Sequence, residues 1–316
     1  MKILVTGGAG FIGSNVADAY INAGHEVIIV DDLSSGKREN VNPKARFHQV
    51  DIRSKELREV IKSERPDIIN HHAAQISVPA SVEDPLYDAD VNVKGFINVL
   101  EAARLNDTKK VVFISSGGAI YGEAGEYPTT EDYPVRPLSP YAITKFVSEK
   151  YLAFYRHQYG LDYTVLRYAN VYGPRQVPHG EAGVVAIFID RLLDSKECAL
   201  YHFKDDPRGM TRDYCFVGDV ARANLLAIDK GSGEAFNIGT GVATHTGELF
   251  SVIFESIKKR RNIPDELKAP KRGPARAGDI KRSCLNAGKA GRTLGWRPEL
   301  DLRKGIEATL DWRLKR

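Results

Sequence analysis

Tyr141 and Lys145 stand four residues apart in the run Tyr-Ala-Ile-Thr-Lys, so on a helix a phenol and an ammonium share one face. A positive charge beside a phenol favours the phenolate, which makes such a pair a general base near neutral pH. The spacing is common, and its weight comes from features elsewhere. Ser115 and Ser116 close the β-branched run Val111–Ser115. Strand ends of an open α/β sheet border the ligand crevice, where a hydroxyl shares a substrate proton with Tyr141.

Far upstream, Gly7-Gly8-Ala9-Gly10-Phe11-Ile12-Gly13 follows the first apolar run and opens a helical pattern. In that context Gly7 serves the tight turn, Gly10 lets the backbone approach a pyrophosphate, and Gly13 lets the helix pack close to the sheet. Asp31 ends the second strand, where an acid meets the adenosine ribose hydroxyls. Its charge repels the extra phosphate of NADP, so the expected cofactor is NAD, and Asp32 adds to this. Lys37 and Arg38 are expected to be solvated loop charges. Asp51-Ile52, after the third strand, is expected to cover the adenine, a surface-loop acid being the alternative. His71-His72-Ala73-Ala74 ends the next strand with small residues that admit the cofactor. Neighbouring strand residues point to opposite faces, which favours packing over metal ligation for the two histidines; no metal is expected.

The elements that must position these groups alternate along the chain. Ile3–Thr6, Val27–Val30, Phe47–Val50, Ile68–His71, Val111–Ser115 and Thr164–Arg167 read as strands. Gly13–Ala23, Ser54–Ser63, Ala89–Leu105 and Tyr141–Tyr159 read as helices between them. The predicted fold is α/β, a doubly wound parallel sheet covered on both faces, with a smaller C-terminal lobe. Residues 1–170 form the cofactor domain, rejoined near 214–240, and residues 171–316 the second lobe. Gly173-Pro174, Pro178, Gly180 and Gly183 mark loops before a helix near Val184–Leu193, and Thr246–Lys258 is a further helix whose basic end suits its dipole.

With 316 residues, 42% hydrophobic and 27% charged, the chain has enough apolar residues for one large core. A formal charge of +4 with interleaved signs argues against a nucleic-acid partner and leaves a small anionic substrate open. Cys198, Cys215 and Cys284 make no metal-ligand spacing, and no segment has the apolar length of a membrane span, so a cytoplasmic protein with free thiols is expected.

These motifs together make the chain resemble the extended short-chain dehydrogenase/reductase family and, within it, the nucleotide-sugar epimerases of the UDP-glucose 4-epimerase type. The likeness runs through Thr6 to Gly13, Asp31-Asp32-Leu33-Ser34-Ser35-Gly36, Ala73-Ala74-Gln75, Asn92, Ser139-Pro140-Tyr141, Lys145, Leu166 to Arg175, and Arg212-Asp213-Tyr214. The resemblance implies a Rossmann domain with tightly held NAD and a lobe for the UDP-sugar. It implies cofactor contacts from Leu33, Ser35, Gly36, His72, Ala73, Ala74, Gln75, Asn92, Ser115 and Tyr168 besides the residues above, and from Lys145 to the nicotinamide ribose. UDP would meet Asn170, the backbone near Val184, Arg212, Arg276 and Asp279.

Two departures bear on activity. The family sets its catalytic Ser or Thr at the position of Gly117, so Ser116, one step earlier, is expected to act, with Ser115 in reserve. Related dehydratases carry an Asp-Glu pair at Gly117-Gly118, and without it water elimination lacks its acid and base. By the resemblance Ser283 faces the sugar, where a small residue leaves room for an N-acetyl group. The expected activity is 4-epimerisation of UDP-hexoses through a 4-keto sugar with no net redox change. A UDP-uronate 4-epimerase and a nucleotide-sugar dehydrogenase or reductase are the alternatives. A homodimer is also implied, with the helices near Ala89–Leu105 and Tyr141–Tyr159 pairing; the face of Phe146, Tyr151, Phe154 and Tyr155 fits either that contact or the core.

Overall fold

Strands covered on both faces need apolar residues at successive positions rather than at alternate ones. The computed structural model, which describes residues 1–178, 183–275 and 279–315, follows that rule. Strands β1 (Lys2–Thr6), β2 (Glu26–Asp31), β3 (Arg46–Gln49), β4 (Ile68–His71), β5 (Lys110–Ser116) and β6 (Asp162–Tyr168) bury Ile3 to Val5, Val27 to Val30 and Val111 to Phe113 almost completely. Helices α1 (Phe11–Asn22), α2 (Glu56–Glu64), α3 (Val78–Glu83), α4 (Pro85–Ala89), α5 (Phe96–Leu105) and α6 (Pro140–Tyr159) connect them. The chain continues through β7 (Asn170–Tyr172), α7 (Val184–Leu193), β8 (Ala199–His202), β9 (Thr211–Phe216), α8 (Val217–Ala227), β10 (Glu234–Ile238), β11 (Ala243–His245), α9 (Thr246–Lys258), β12 (Lys271–Pro274), α10 (Gly288–Thr293) and α11 (Leu302–Leu314).

The large sheet has the order β10-β6-β5-β4-β1-β2-β3, all pairs parallel. It is a Rossmann-type sheet. One face packs on α1 and α8 through Val16, Tyr20, Val220 and Ala223; the other packs on α2, α5 and α6 through Leu57, Ile61, Phe96, Leu100 and Leu152. The chain runs from β1 outward to β2 and β3, then crosses back to β4 on the other side. That reversal opens a crevice beyond the C-terminal ends of β1 and β4, where ligands of such sheets bind. A smaller lobe consists of the sheet β11-β9-β7, the pair β12-β8, and a core of Phe188, Leu192, Phe250, Phe254 and Leu310 under α7, α9 and α11.

The single helix expected over Ala89–Leu105 is divided. It begins at Pro85, capped by the Asp84 carboxylate on the Tyr87 amide, widens into a π turn over Asp90–Gly95, and resumes as α5. Two contacts hold the wide turn. Asn92 turns its amide inward to Gln75 and Asp88, and Gly95 lies so near Ile52 that a Cβ there would come within 2.9 Å of its Cδ1. The expected aromatic face of α6 also divides. Tyr155 is buried and donates to Glu101 at 2.6 Å, whereas the adjacent Phe154 points to solvent.

Helix α6 carries Tyr141 and Lys145, and its ends are well defined. Ser139 caps the first turn by accepting from the Ala142 amide, Pro140 supplies a preset φ, and Gly160 closes the helix at a left-handed φ of 72°. Between those ends Glu149 ties the helix to the sheet. It accepts from Arg167 Nε at 3.1 Å and Nη2 at 2.6 Å on β6, and from the Ser115 hydroxyl at 2.6 Å on β5. Arg167 also donates to the Tyr121 hydroxyl at 2.8 Å. All four side chains are buried. Removing one partner of such a pair leaves a charge without compensation, so Glu149→Ala is expected to cost about 3–5 kcal/mol. Urea unfolding measures it; an unchanged midpoint would contradict the role given to this ion pair.

Candidate active site

Capping at Ser139 starts α6 beside the end of β5, and this brings Tyr141, Lys145 and Ser116 together. Lys145 is buried, donates to the Ile114 carbonyl at 3.0 Å, and lies 5.1 Å from the Phe113 ring centroid and 6.0 Å from that of Tyr141. Ser116 is close enough to Tyr141 that its hydroxyl pulls the phenol's pKa down. Ser115 faces the other way, onto Glu149. Of the two serines, therefore, Ser116 is the one beside the phenol.

The expectation that Lys145 lowers the tyrosine is not met in the protein alone. Burial, opposed by Ser116 and reinforced by Asp88, pushes Tyr141 up to about 12. Burial likewise lowers Lys145 to about 8, against the opposing charges of Asp88 and Glu149. Desolvation of each group outweighs their mutual attraction at this separation.

Gly117 explains why the serine stands one position early. A Cβ there would meet Leu285 Cδ1 at 2.5 Å and the Arg167 carbonyl oxygen at 3.1 Å. A leucine from the C-terminal segment thus fills the space where the family's hydroxyl residue would project. Gly118 differs, since the nearest atoms to a Cβ there are Asn170 Oδ1 at 3.7 Å, Ser283 Oγ at 3.9 Å and Ser116 Oγ at 4.0 Å. These four residues line one space next to Tyr141.

The glycine run fits a dinucleotide by its shape. Gly7 has a φ of 67°, and a Cβ on it would lie 2.6 Å from the Ala73 nitrogen, so the turn passes directly over the end of β4. Gly10 is the N-cap of α1 and has no side chain to occupy the first-turn amides of Phe11 and Ile12, which suits an anion there. A Cβ on Gly13 would run into the Gly7 carbonyl oxygen. Asp31 is buried and accepts from the amides of Ala9 at 3.0 Å and Leu33 at 2.8 Å, which leaves acceptor capacity for a ribose. A Cβ on Gly36 would come within 2.6 Å of Asp31 Oδ1, so the loop can close over this carboxylate only with glycine. His72 Nε2 is buried without a hydrogen-bond partner among the described residues. Burial, then Lys145, lowers His72 to about 3, so it presents a neutral imidazole.

Other residues named from the sequence have local duties. Asp32 is exposed and accepts from the Ser34 amide and hydroxyl; Ser35 is exposed as well. Asp51 is partly buried and pairs with Arg53 at 2.6 Å, and that hydrogen bond lowers its pKa. Ile52 is buried under Gly95, and Arg38 stacks on Phe47. The Tyr168 hydroxyl accepts from Asn224 at 2.6 Å inside the core. Asn92 accepts from the Gln75 amide and donates to its carbonyl, so it supports the loop after Ala74. His71 is engaged by the Thr6 hydroxyl at 2.8 Å and by the ring of Phe96.

In the smaller lobe Arg212 lies within β9 and donates to its own neighbour's carbonyl, Thr211. Burial lowers its pKa, opposed by Tyr214, Asp279, Glu123 and Tyr127, so Asp279 lies on the side this cation faces. Asn170 opens β7, Val184 opens α7 after Gly183 with its φ of 86°, and Ser283 is buried. Arg276 falls outside the described residues.

Sequence reasoning named Asp213 within a motif without its role, and missed Leu285 and Glu149. Asp213 accepts from the Thr240 amide and hydroxyl and from the amides of Gly241 and Leu285, and so fixes the leucine that fills the place beside Gly117. Glu149 had a signal, since it follows Lys145 by one turn.

Residues 3–239 match the model of the NAD dependent epimerase/dehydratase family. The chain is 46% identical over 318 residues to the UDP-glucose 4-epimerase of Mycolicibacterium smegmatis, covering 99% of this chain and 98% of that one. Its structure resembles that of UDP-glucose 4-epimerase from Thermotoga maritima with UDP-glucose, at a TM-score of 0.93 and 46% identity, covering 100% of this chain and 99% of that one. It also resembles the Thermus thermophilus UDP-glucose 4-epimerase in complex with NAD, at 0.91 and 45%, covering 99% and 98%. Glycine cradle, buried acid, Tyr141–Lys145 turn and end-to-end likeness agree: the chain belongs to the NAD-dependent epimerase/dehydratase family.

Proposed function

We propose that this protein interconverts UDP-glucose and UDP-galactose by reversible oxidation at the sugar's C4. The observation that carries the reading is Tyr141 with Ser116 and Lys145 at the crevice, beside Gly117 and Gly118, where no side chain offers the acid and base of a dehydratase. The relatives named UDP-glucose 4-epimerase support it.

NAD, when bound, supplies reversible hydride acceptance at C4, so that the net redox change is zero. Gly7, Gly10, Phe11, Ile12 and Gly13 would hold its pyrophosphate, Asp31 its adenosine ribose and Lys145 its nicotinamide ribose. Tyr141 takes the proton of the 4-hydroxyl and Ser116 shares that proton on its way. Because burial holds Tyr141 high, its deprotonation depends on positive charge beside it, which Lys145 supplies. Arg212, Arg276, Asp279 and Asn170 grip the UDP moiety, guanidinium groups matching phosphate oxygens and a carboxylate the ribose hydroxyls. The 4-keto hexose turns within the space lined by Gly118, Ser116, Asn170 and Ser283, presents its other face, and recovers its proton from Tyr141. The same space leaves room for an N-acetyl group, which extends the substrate range to UDP-N-acetylhexosamines. The protein works as a cytoplasmic homodimer: its three free cysteines are buried, and α4 and α6 expose Leu86, Tyr87, Ile143 and Phe154.

Purified protein given UDP-galactose without added NAD is expected to form UDP-glucose, and Tyr141→Phe to lower kcat by roughly 10²–10⁴ while NAD stays bound. Product analysis with assay of released NAD checks both; retained activity in the variant removes Tyr141 as the base. Ser283→Tyr is expected to abolish turnover of N-acetylated substrates and spare UDP-glucose and UDP-galactose. Equal loss of both classes would refute the gate.

A further inference from the structure

Beneath the Tyr141–Lys145 turn lies a carboxylate that neither the glycine motif nor the nucleotide grip uses. Asp88 on α4 has no accessible surface. It accepts from the Thr144 hydroxyl at 2.8 Å, from Asn92 Nδ2 at 3.0 Å and from Gln75 Nε2 at 2.8 Å. Three donors converging on one carboxyl group suit its ionised form, which only accepts. All three are neutral, and among the described residues no cation hydrogen-bonds Asp88. Burying such a charge is costly without a counter-charge in reach.

Lys145 is that counter-charge. The groups facing it are Asp88 from α4, Glu149 and Tyr141 from α6, the Ile114 carbonyl and Phe113 ring from β5, and the imidazoles of His71 and His72 from the end of β4. Glu149 is already matched by Arg167, and both imidazoles are neutral through burial. Among the described residues Asp88 is left as the one facing anion without a cation of its own. Of the two carboxylates it also holds Lys145 protonated more strongly.

We propose that Asp88 is a positioning residue for the proton-transfer pair: through Thr144 it pins the helical turn between Tyr141 and Lys145, through Gln75 and Asn92 it ties that turn to the loop after β4, and its buried charge faces Lys145. The inference rests on the assignment of Tyr141 and Lys145 made above.

The test is the pH profile of kcat for UDP-galactose with the purified holoenzyme, paired with thermal unfolding against pH. Asp88→Asn keeps the shape and removes the charge. Its high-pH limb is expected to move towards acid by about one pH unit, so that activity falls close to tenfold near pH 9 and much less near pH 6.5. Unfolding gives a second readout. Lys145 is lowered in the folded protein, to about 8, from an ordinary 10.5. Between those values the unfolded chain binds more protons, so this lysine makes stability rise with pH. In Asp88→Asn that rise begins at a lower pH.

Thr144→Val leaves the carboxylate and removes one tether; kcat is expected to fall about fivefold at every pH with the limb unmoved. It decides the positioning role should Asp88→Asn fail to fold, and a wild-type kcat in Thr144→Val overturns it. An Asp88→Asn protein that loses activity evenly across pH, or loses none, overturns the electrostatic role. Should the unmodified protein fail to turn over any UDP-hexose, the assignment of the site fails. The onset of the stability rise then decides the Asp88–Lys145 pairing alone.

Discussion

A buried ammonium is the constraint around which this site is arranged. Lys145 must be inside the protein to stand beside Tyr141 and the crevice, yet burial lowers it towards neutrality. Its compensation comes from two directions, a carbonyl at the end of β5 and the carboxylates of Asp88 and Glu149. Each tie fixes α6 against a different neighbour: Ile114 against the sheet, Asp88 against α4 and the π turn, Glu149 against Arg167 on β6. The position of the phenol follows from these attachments more than from any contact of its own. A helix held only by apolar packing could rotate by a fraction of a turn at little cost, and Tyr141 would then lose Ser116.

A second dependence runs between the two lobes. The space beside Gly117 is filled by Leu285, whose amide is held by Asp213, next in sequence to Arg212. Arg212, proposed to meet the phosphates, and the carboxylate that fixes Leu285 beside Ser116 are therefore neighbours on one strand, β9. Rigid support of this kind suits a reaction in which the nucleotide stays gripped while the hexose turns. Gly118 differs, since its missing side chain leaves open the space between Asn170, Ser283 and Ser116.

Much of the fold was legible because parallel strands buried on both faces and amphipathic helices leave strong local patterns. Ile3–Thr6 and Val111–Ser115 were found within a residue or two, as was the turn from Gly7 to Gly13. The π turn at Asp90–Gly95 was not, because it is imposed by Asn92 and Gly95 reaching partners distant in sequence. The same cause hid Asp88, Leu285 and the role of Asp213, whose places depend on elements folded from distant parts of the chain. Glu149 was one turn from Lys145 and could have been suspected, but nothing local marks Arg167 as its partner. Spacing also misled in one respect. A lysine four residues from a tyrosine suggests a lowered phenol, whereas burial of both groups raises the tyrosine and lowers the lysine.

The central claim is that one hydride leaves C4 and returns to the same carbon within one closed site. Its most direct test is UDP-galactose carrying deuterium at C4, incubated with the purified protein in ordinary water without added cofactor, with the product read by mass spectrometry and proton NMR. The account predicts UDP-glucose that keeps the deuterium at C4. Epimerised product with hydrogen from solvent at C4 would contradict it.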